Sequence, residues 1–214
     1  MYEWLQSAGP FVWPIVLASV VGVGVFLERL SVLVRLGRKD DEVLAHVLQL
    51  CRDGKSDEAR HTSQAQRSPV GVVLATTLAA LDLPPAERDP MIRAAGNREL
   101  RSLERGLRVI AVIARLAPLM GLLGTVVGLV DAFRAVAASE GPADPTLLAG
   151  GIWQALLTTV AGLLVAIPAV VSHEWLLSRS DAMAGRMQTA VAELLAVAVR
   201  HAKRNDHRDP HDRV

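Results

Sequence analysis

A single cysteine, Cys51, leaves this chain without a disulfide framework or a cysteine-built zinc site. Charge of one sign is also missing: 23 Lys and Arg stand against 22 Asp and Glu. That balance gives no case for a nucleic-acid partner, which would want a concentrated basic patch. The sequence holds no glycine-rich phosphate loop, no metal-ligand cluster and no nucleophile elbow, so it points neither to an enzyme nor to a bound cofactor. His207 and His211 sit four apart, but in a polar tail where such a pair is ordinarily solvated.

The most telling absence is that of charge over long runs. Residues 4–27 and 145–172 contain no Asp, Glu, Lys, Arg or His, and residues 109–130 contain only Arg115. A helix needs about 20 mostly apolar residues to cross a bilayer core of about 30 Å, so each run is long enough. The chain is expected to be an all-α membrane protein with three transmembrane helices. The first run reads as a retained span rather than a cleaved leader. Its opening Met-Tyr-Glu-Trp lacks a basic region, and its apolar stretch exceeds that of a signal peptide.

Charges at the ends of the runs set an orientation. Arg29, Arg35, Arg38 and Lys39 follow the first, Arg98, Arg101, Arg105 and Arg108 precede the second, and Arg179 and Arg186 follow the third. The opposite ends carry Glu3, Glu140 and Asp144. The positive-inside bias then places the N-terminus outside and the C-terminus in the cytoplasm. The expected layout is a periplasmic N-terminus at 1–10, spans at 11–35, 108–137 and 147–177, and a periplasmic loop at 138–146. A cytoplasmic helical region fills 36–107, a cytoplasmic helix covers 178–202, and a disordered tail covers 203–214. Within the cytoplasmic region, short helices are expected over 42–52, capped by Asp40 or Asp41 and stopped by Gly54, and over 57–66. A third runs over 70–81, with Ser68 as N-cap and Pro69 at its first position. From 86 to 138 only Pro90 and Pro118 interrupt the pattern, which predicts one long helix standing well into the cytoplasm before it crosses.

Projected at about 100° per residue, Ala114, Ala117, Gly121, Gly124, Thr125, Gly128, Asp131, Ala132 and Ala135 fall within roughly 120° of the second span. On the third, Gly150, Gln154, Thr158, Ala161 and Val165 share one side, with Gly151 and Gly162 beside it; Thr159 lies about 140° from Gln154. The glycines read as close helix packing, because small residues let backbones approach where no hydrophobic force drives helices together. A threonine at this depth can bond back to its own helix. Polar groups at membrane depth otherwise face protein or a water-filled cavity. Thr125, Gln154, Thr158 and Thr159 together therefore suggest an ion pathway along a polar seam. Two helices cannot enclose a pore, so the seam implies a homo-oligomer. Asp131 fits either the outer pore or a water-exposed interface. Arg115, on the apolar side, reads as snorkelling to headgroups.

The segments Leu116-Ala-Pro-Leu-Met-Gly-Leu-Leu-Gly-Thr-Val-Val-Gly-Leu-Val-Asp-Ala-Phe133 and Leu148-Ala-Gly-Gly-Ile-Trp-Gln-Ala-Leu-Leu-Thr-Thr-Val-Ala-Gly-Leu-Leu-Val-Ala-Ile-Pro168 resemble the ExbB/TolQ/MotA family. The three-span layout is similar to its ExbB and TolQ branch. The resemblance implies a homopentamer in the bacterial inner membrane, with the second and third spans around a central pore. Single-span ExbD- or TolR-like subunits would occupy that pore, carry the coupling ion on an Asp and pass work to a TonB-like protein. The family's two pore threonines correspond to Thr125 and Thr159.

One position departs from the pattern: the family's third-span glutamate is Gln154 here. An amide does not titrate near neutral pH, though it donates and accepts hydrogen bonds. Asp131 lies about 9 Å outward of Thr125 by helix rise, so no acid of this chain is expected at mid-membrane. The coupling ion is then H+, with the titrating group on the partner, or Na+, bound by the neutral oxygens of Gln154, Thr158 and Thr159. A TolQ-like role in envelope maintenance and a non-conducting scaffold of the same fold remain as alternatives.

Overall fold

The structure, a computed structural model, describes residues 11–36, 40–66, 68–138 and 145–206. Among these, seven helices follow in order: α1 (Val12–Leu36), α2 (Asp40–Arg52), α3 (Ser56–Ala65), α4 (Pro69–Ala79), α5 (Pro85–Leu103), α6 (Leu107–Ala137) and α7 (Pro145–Asp206). The N-terminal segment 1–10, most of the loop at 138–146 and the pair His207 and His211 lie outside the described residues. The chain divides into two compact units, one of Met1–Arg29 with Gly106–Leu176, the other of Leu30–Arg105 with Leu177–Val214.

Among the described residues three helices are long and apolar enough to cross a membrane, α1, α6 and α7, and the first unit holds α1 up to Arg29, α6, and α7 up to Leu176. Their outward surfaces are apolar, with Leu17 and Val20 on α1, Leu119 and Leu122 on α6, and Leu164 and Ile167 on α7 each more than half exposed. Water would not tolerate so continuous an apolar surface on a soluble monomer, whereas acyl chains solvate it. Trp153 and Trp175 bracket the span of α7, and their 22-residue separation corresponds to about 33 Å of helix. That matches a hydrocarbon core with an aromatic residue at each boundary.

The second unit is a small helical domain. Val47, Val70, Val73 and Leu74 from α2 and α4 meet Met187, Ala190 and Leu194 of α7 in its core. On α7, Met183, Met187, Ala190, Leu194 and Val197 recur at three- and four-residue spacing, the period of one helix face. The helix boundaries follow the local chemistry. Ser68 Oγ accepts the Gly71 N–H at 3.1 Å with Pro69 in the first turn, as the cap pattern predicts. α2 ends where Gly54 adopts φ 77°; its N–H donates to Cys51 O and the Lys55 N–H donates to Leu50 O. This paired arrangement is a Schellman motif. Arg60 of α3 reaches over to donate to Leu78 O at 3.2 Å, placing a cation at the C-terminal end of α4.

Three expectations need correction. The continuous helix over 86–138 is broken: α5 stops at Leu103 and α6 starts at Leu107. Gly106 sits at φ 88° between them, a left-handed conformation that side chains with a Cβ resist. Its carbonyl accepts from the Val109 and Ile110 N–H groups and so starts the next helix. Pro90 and Pro118, the two breaks in the pattern, lie inside α5 and α6 and end neither, and Pro168 lies inside α7. At the far end, α7 persists to Asp206, into the segment expected to be disordered. Extending an existing helix adds one bond per residue at little cost, and Lys and Arg favour it.

Candidate ion pathway at the α6–α7 contact

The two small-residue stripes face each other within one chain. A Cβ at Gly128 would lie 2.9 Å from the Cβ of Ala155, one at Gly124 2.5 Å from Thr158 Oγ1, and one at Gly162 2.5 Å from the Ala117 carbonyl. A Cβ at Gly151 would collide with Ala132. Ala117, Gly121, Gly124, Gly128 and Ala132 of α6 are thus matched with Gly151, Ala155, Thr158 and Gly162 of α7, the small-residue contact that brings membrane helices close. Gly150 is not part of it: a side chain there would meet nothing within 4 Å.

That closeness exposes one backbone carbonyl to two hydroxyls. Thr159 Oγ1 donates across to Gly121 O at 3.0 Å, and Thr158 Oγ1 divides its hydrogen between Ala155 O at 2.7 Å and Gly121 O at 3.3 Å. Thr125 Oγ1 donates to Leu122 O at 2.7 Å. Each hydroxyl has a single hydrogen, so all three spend it on backbone and keep only lone pairs for anything else. Thr158 is 3% exposed, sealed beneath Gly124. Thr125 and Thr159 are half-buried at the edges of the contact, and Gln154 is exposed. Asp131 stands on the surface, 3.8 Å from Arg134, with both side chains well exposed. Arg115 is exposed beside apolar Leu116.

Sequence reasoning named the hydroxyls and the glycines but missed the acceptor that Thr158 and Thr159 share, the Gly121 carbonyl. The available signal was a glycine on one stripe opposite a Thr-Thr pair on the other, since the lack of a side chain lets the neighbouring helix come close enough to reach the carbonyl. Among the described residues no group of three or more His, Cys, Asp or Glu side chains could hold a metal ion.

The profile of the MotA/TolQ/ExbB proton channel family matches residues 65–189, which include the whole of this contact. The chain belongs to that family. A relative is the biopolymer transport protein exbB1 of Vibrio cholerae, 31% identical over 193 residues that cover 86% of this chain and 82% of that one. A putative biopolymer transport protein ExbB-like 1 of Synechocystis is 31% identical over 178 residues, 82% of this chain and 70% of its own. The Tol-Pal system protein TolQ of Pseudomonas aeruginosa is 36% identical over 115 residues, covering 54% and 49%. This MotA/TolQ/ExbB chain is therefore a membrane protein related to transport-energising subunits, and the α6–α7 contact is its family-matched core.

Proposed function

We propose that the chain is the ExbB-like subunit of an ion-driven motor in the bacterial inner membrane, with its N-terminus in the periplasm and its C-terminus in the cytoplasm. Five copies surround a central pore that holds the single spans of an ExbD- or TolR-like partner. Proton-motive force acting there energises TonB-dependent transport across the outer membrane. The supporting observation is the state of the seam hydroxyls: Thr125 and Thr159, half-buried, have given their hydrogens to Leu122 O and Gly121 O. Their oxygens accept a hydrogen bond from a protonated carboxyl and offer nothing to a carboxylate. Gln154, whose side-chain amide makes no hydrogen bond within the described chain, supplies N–H donors that suit the carboxylate instead. A partner carboxyl moving between acceptor-only hydroxyls and a donor amide is favoured neutral at one position and charged at the other. Such alternation releases a proton without a titrating acid on this chain.

The replacement of an acid by Gln154 also supports sodium as coupling ion, because acceptor-only oxygens are ligands of the hard type. Flux into liposomes containing the chain and its cognate partner separates the readings. Dependence on a pH gradient supports the proton motor, and dependence on a sodium gradient supports the sodium motor. Dependence on neither leaves a scaffold. Gln154→Glu is tolerated in the proton reading and harmful in the sodium reading.

A further inference from the structure

Away from the α6–α7 contact, the three spans leave a cavity of about 170 Å³ between them, walled by Gly22, Phe26, Ile113, Val165, Pro168 and Ser172. Its origin is local. Gly22 contributes no side chain, and the nearest atom to a Cβ built there is Ile113 Cδ1 at 3.3 Å. An apolar cavity of about 150 Å³ is large enough to stay dry and take up a benzene-sized group, so this one accommodates several methylenes. It is not sealed. Val23 and Leu164 belong to its rim and are 55% and 63% exposed, so it opens sideways between α1 and α7 onto surface that is apolar throughout.

We infer that this cleft is a binding site for one acyl chain of a membrane lipid. The surroundings select the occupant. At the depth of Val23 and Leu164, the medium against a spanning helix is acyl chain, and no competing water is present to fill an apolar recess. The cleft has the dimensions of a chain segment. From Ser19 to Phe26, both in its wall, α1 rises about 10 Å. One end is marked as a membrane boundary. Phe26 meets Trp175 edge-to-face at 6.5 Å, and Arg29 lies one turn beyond Phe26 on the same side of α1. Aromatic rings followed by a cation are the usual sequence of groups where hydrocarbon gives way to headgroups. The lipid therefore enters with its ester region level with Ser172 and Trp175 and its chain directed toward Ser19. The Ser172 hydroxyl lines the cleft there and donates to an ester carbonyl. This site rests on the spans crossing a bilayer and is independent of which ion the α6–α7 contact serves.

The test uses the full chain in detergent micelles with Trp4, Trp13 and Trp153 changed to Phe, so that Trp175 alone reports. Phosphatidylcholine dibrominated near the top of its acyl chain is titrated in. Quenching that saturates at about one lipid per chain, with half-saturation shifted at least tenfold by Gly22→Leu and unchanged by Gly24→Leu, is the expected result. Gly24 is the matched control, since a Cβ there meets nothing within 4 Å. Val165→Phe is a second cleft-filling variant should Gly22→Leu fail to fold, and the same shift is expected from it. Unsaturable quenching that is equal in filled and control variants means surface lipid only and overturns the site. Efficient disulfide formation between Val23→Cys of one copy and Leu164→Cys of another also overturns it, because a second copy then occupies the cleft.

Discussion

A single added carbon decides whether α6 and α7 can touch at Gly124. A Cβ there would stand 2.5 Å from Thr158 Oγ1 and 2.8 Å from Thr158 Cβ, distances that packed atoms do not sustain. Gly124→Val is therefore expected to lower the thermal midpoint of the detergent-solubilised protein by the equivalent of about 1–3 kcal/mol, the usual cost of overpacking. Gly150→Val, in open space, is expected to leave the midpoint unchanged; equal effects would mean the register of the contact is wrong. The threonines divide in the same way. Thr159→Val and Thr125→Val keep the shape and remove an oxygen at the edge of the contact. Each is expected to lower ion-coupled activity more than tenfold with assembly intact, since Thr125 bonds only within its own helix and the one interhelical bond of Thr159 is worth only about 0.6 kcal/mol. Normal flux in both variants would remove the seam from the mechanism. At this scale the sequence singled out Thr125, Gln154, Thr158 and Thr159, because Thr and Gln are conspicuous among Leu and Val. It did not disclose that Gly121 O collects two of the hydroxyls, since a carbonyl becomes a site only once two helices settle into a particular register.

At the scale of elements, glycine proved a stronger boundary than proline. Pro90, Pro118 and Pro168 each remove one backbone donor, yet α5, α6 and α7 run through them. Gly106, in the break after α5, is the N-cap of α6, and its backbone angle and its missing side chain act separately. Its φ of 88° suits a residue without Cβ, and the empty Cβ position lies 3.1 Å from Val25 Cγ1 and 3.3 Å from Arg29 Nε of α1. Gly106→Ala is thus expected to cost about 1–2 kcal/mol for the left-handed backbone alone, with a further loss from the crowding against Val25. Circular dichroism melting in mild detergent should show the midpoint fall with helix content at low temperature preserved. A gain in stability would mean that the 86–138 stretch prefers to be one helix. The short helices were legible in advance because Ser68, Pro69 and Gly54 carry their conformational preferences in their own side chains, or in the lack of one. The break at Gly106 was not, since a lone glycine after a run of Arg and Leu looks the same in the middle of a helix as at its end.

For the molecule as a whole, the proposed orientation follows from three helices long and apolar enough to cross a membrane, with the arginine-rich flanks on the cytoplasmic side. The native thiol does not interfere with a labelling test of this. Cys51 is packed into the core of the second unit, and burial pushes its thiol above the ordinary value. A thiol whose folded-state pKa is raised stays protonated and unreactive at neutral pH. Its contribution to stability is fully present below the unfolded thiol's pKa of about 8.5, and is lost as pH rises through the higher folded value. Cysteines introduced elsewhere therefore report cleanly. Ser7→Cys is expected to react with a membrane-impermeant maleimide in cells whose outer membrane alone is opened. Gly185→Cys, on an exposed position of α7 where a side chain meets nothing within 4 Å, is expected to react only after the inner membrane is broken. The opposite pattern would turn the protein over in the bilayer. It would put Arg98, Arg101 and Arg105 on the periplasmic side, against the charge bias on which the proposed orientation rests.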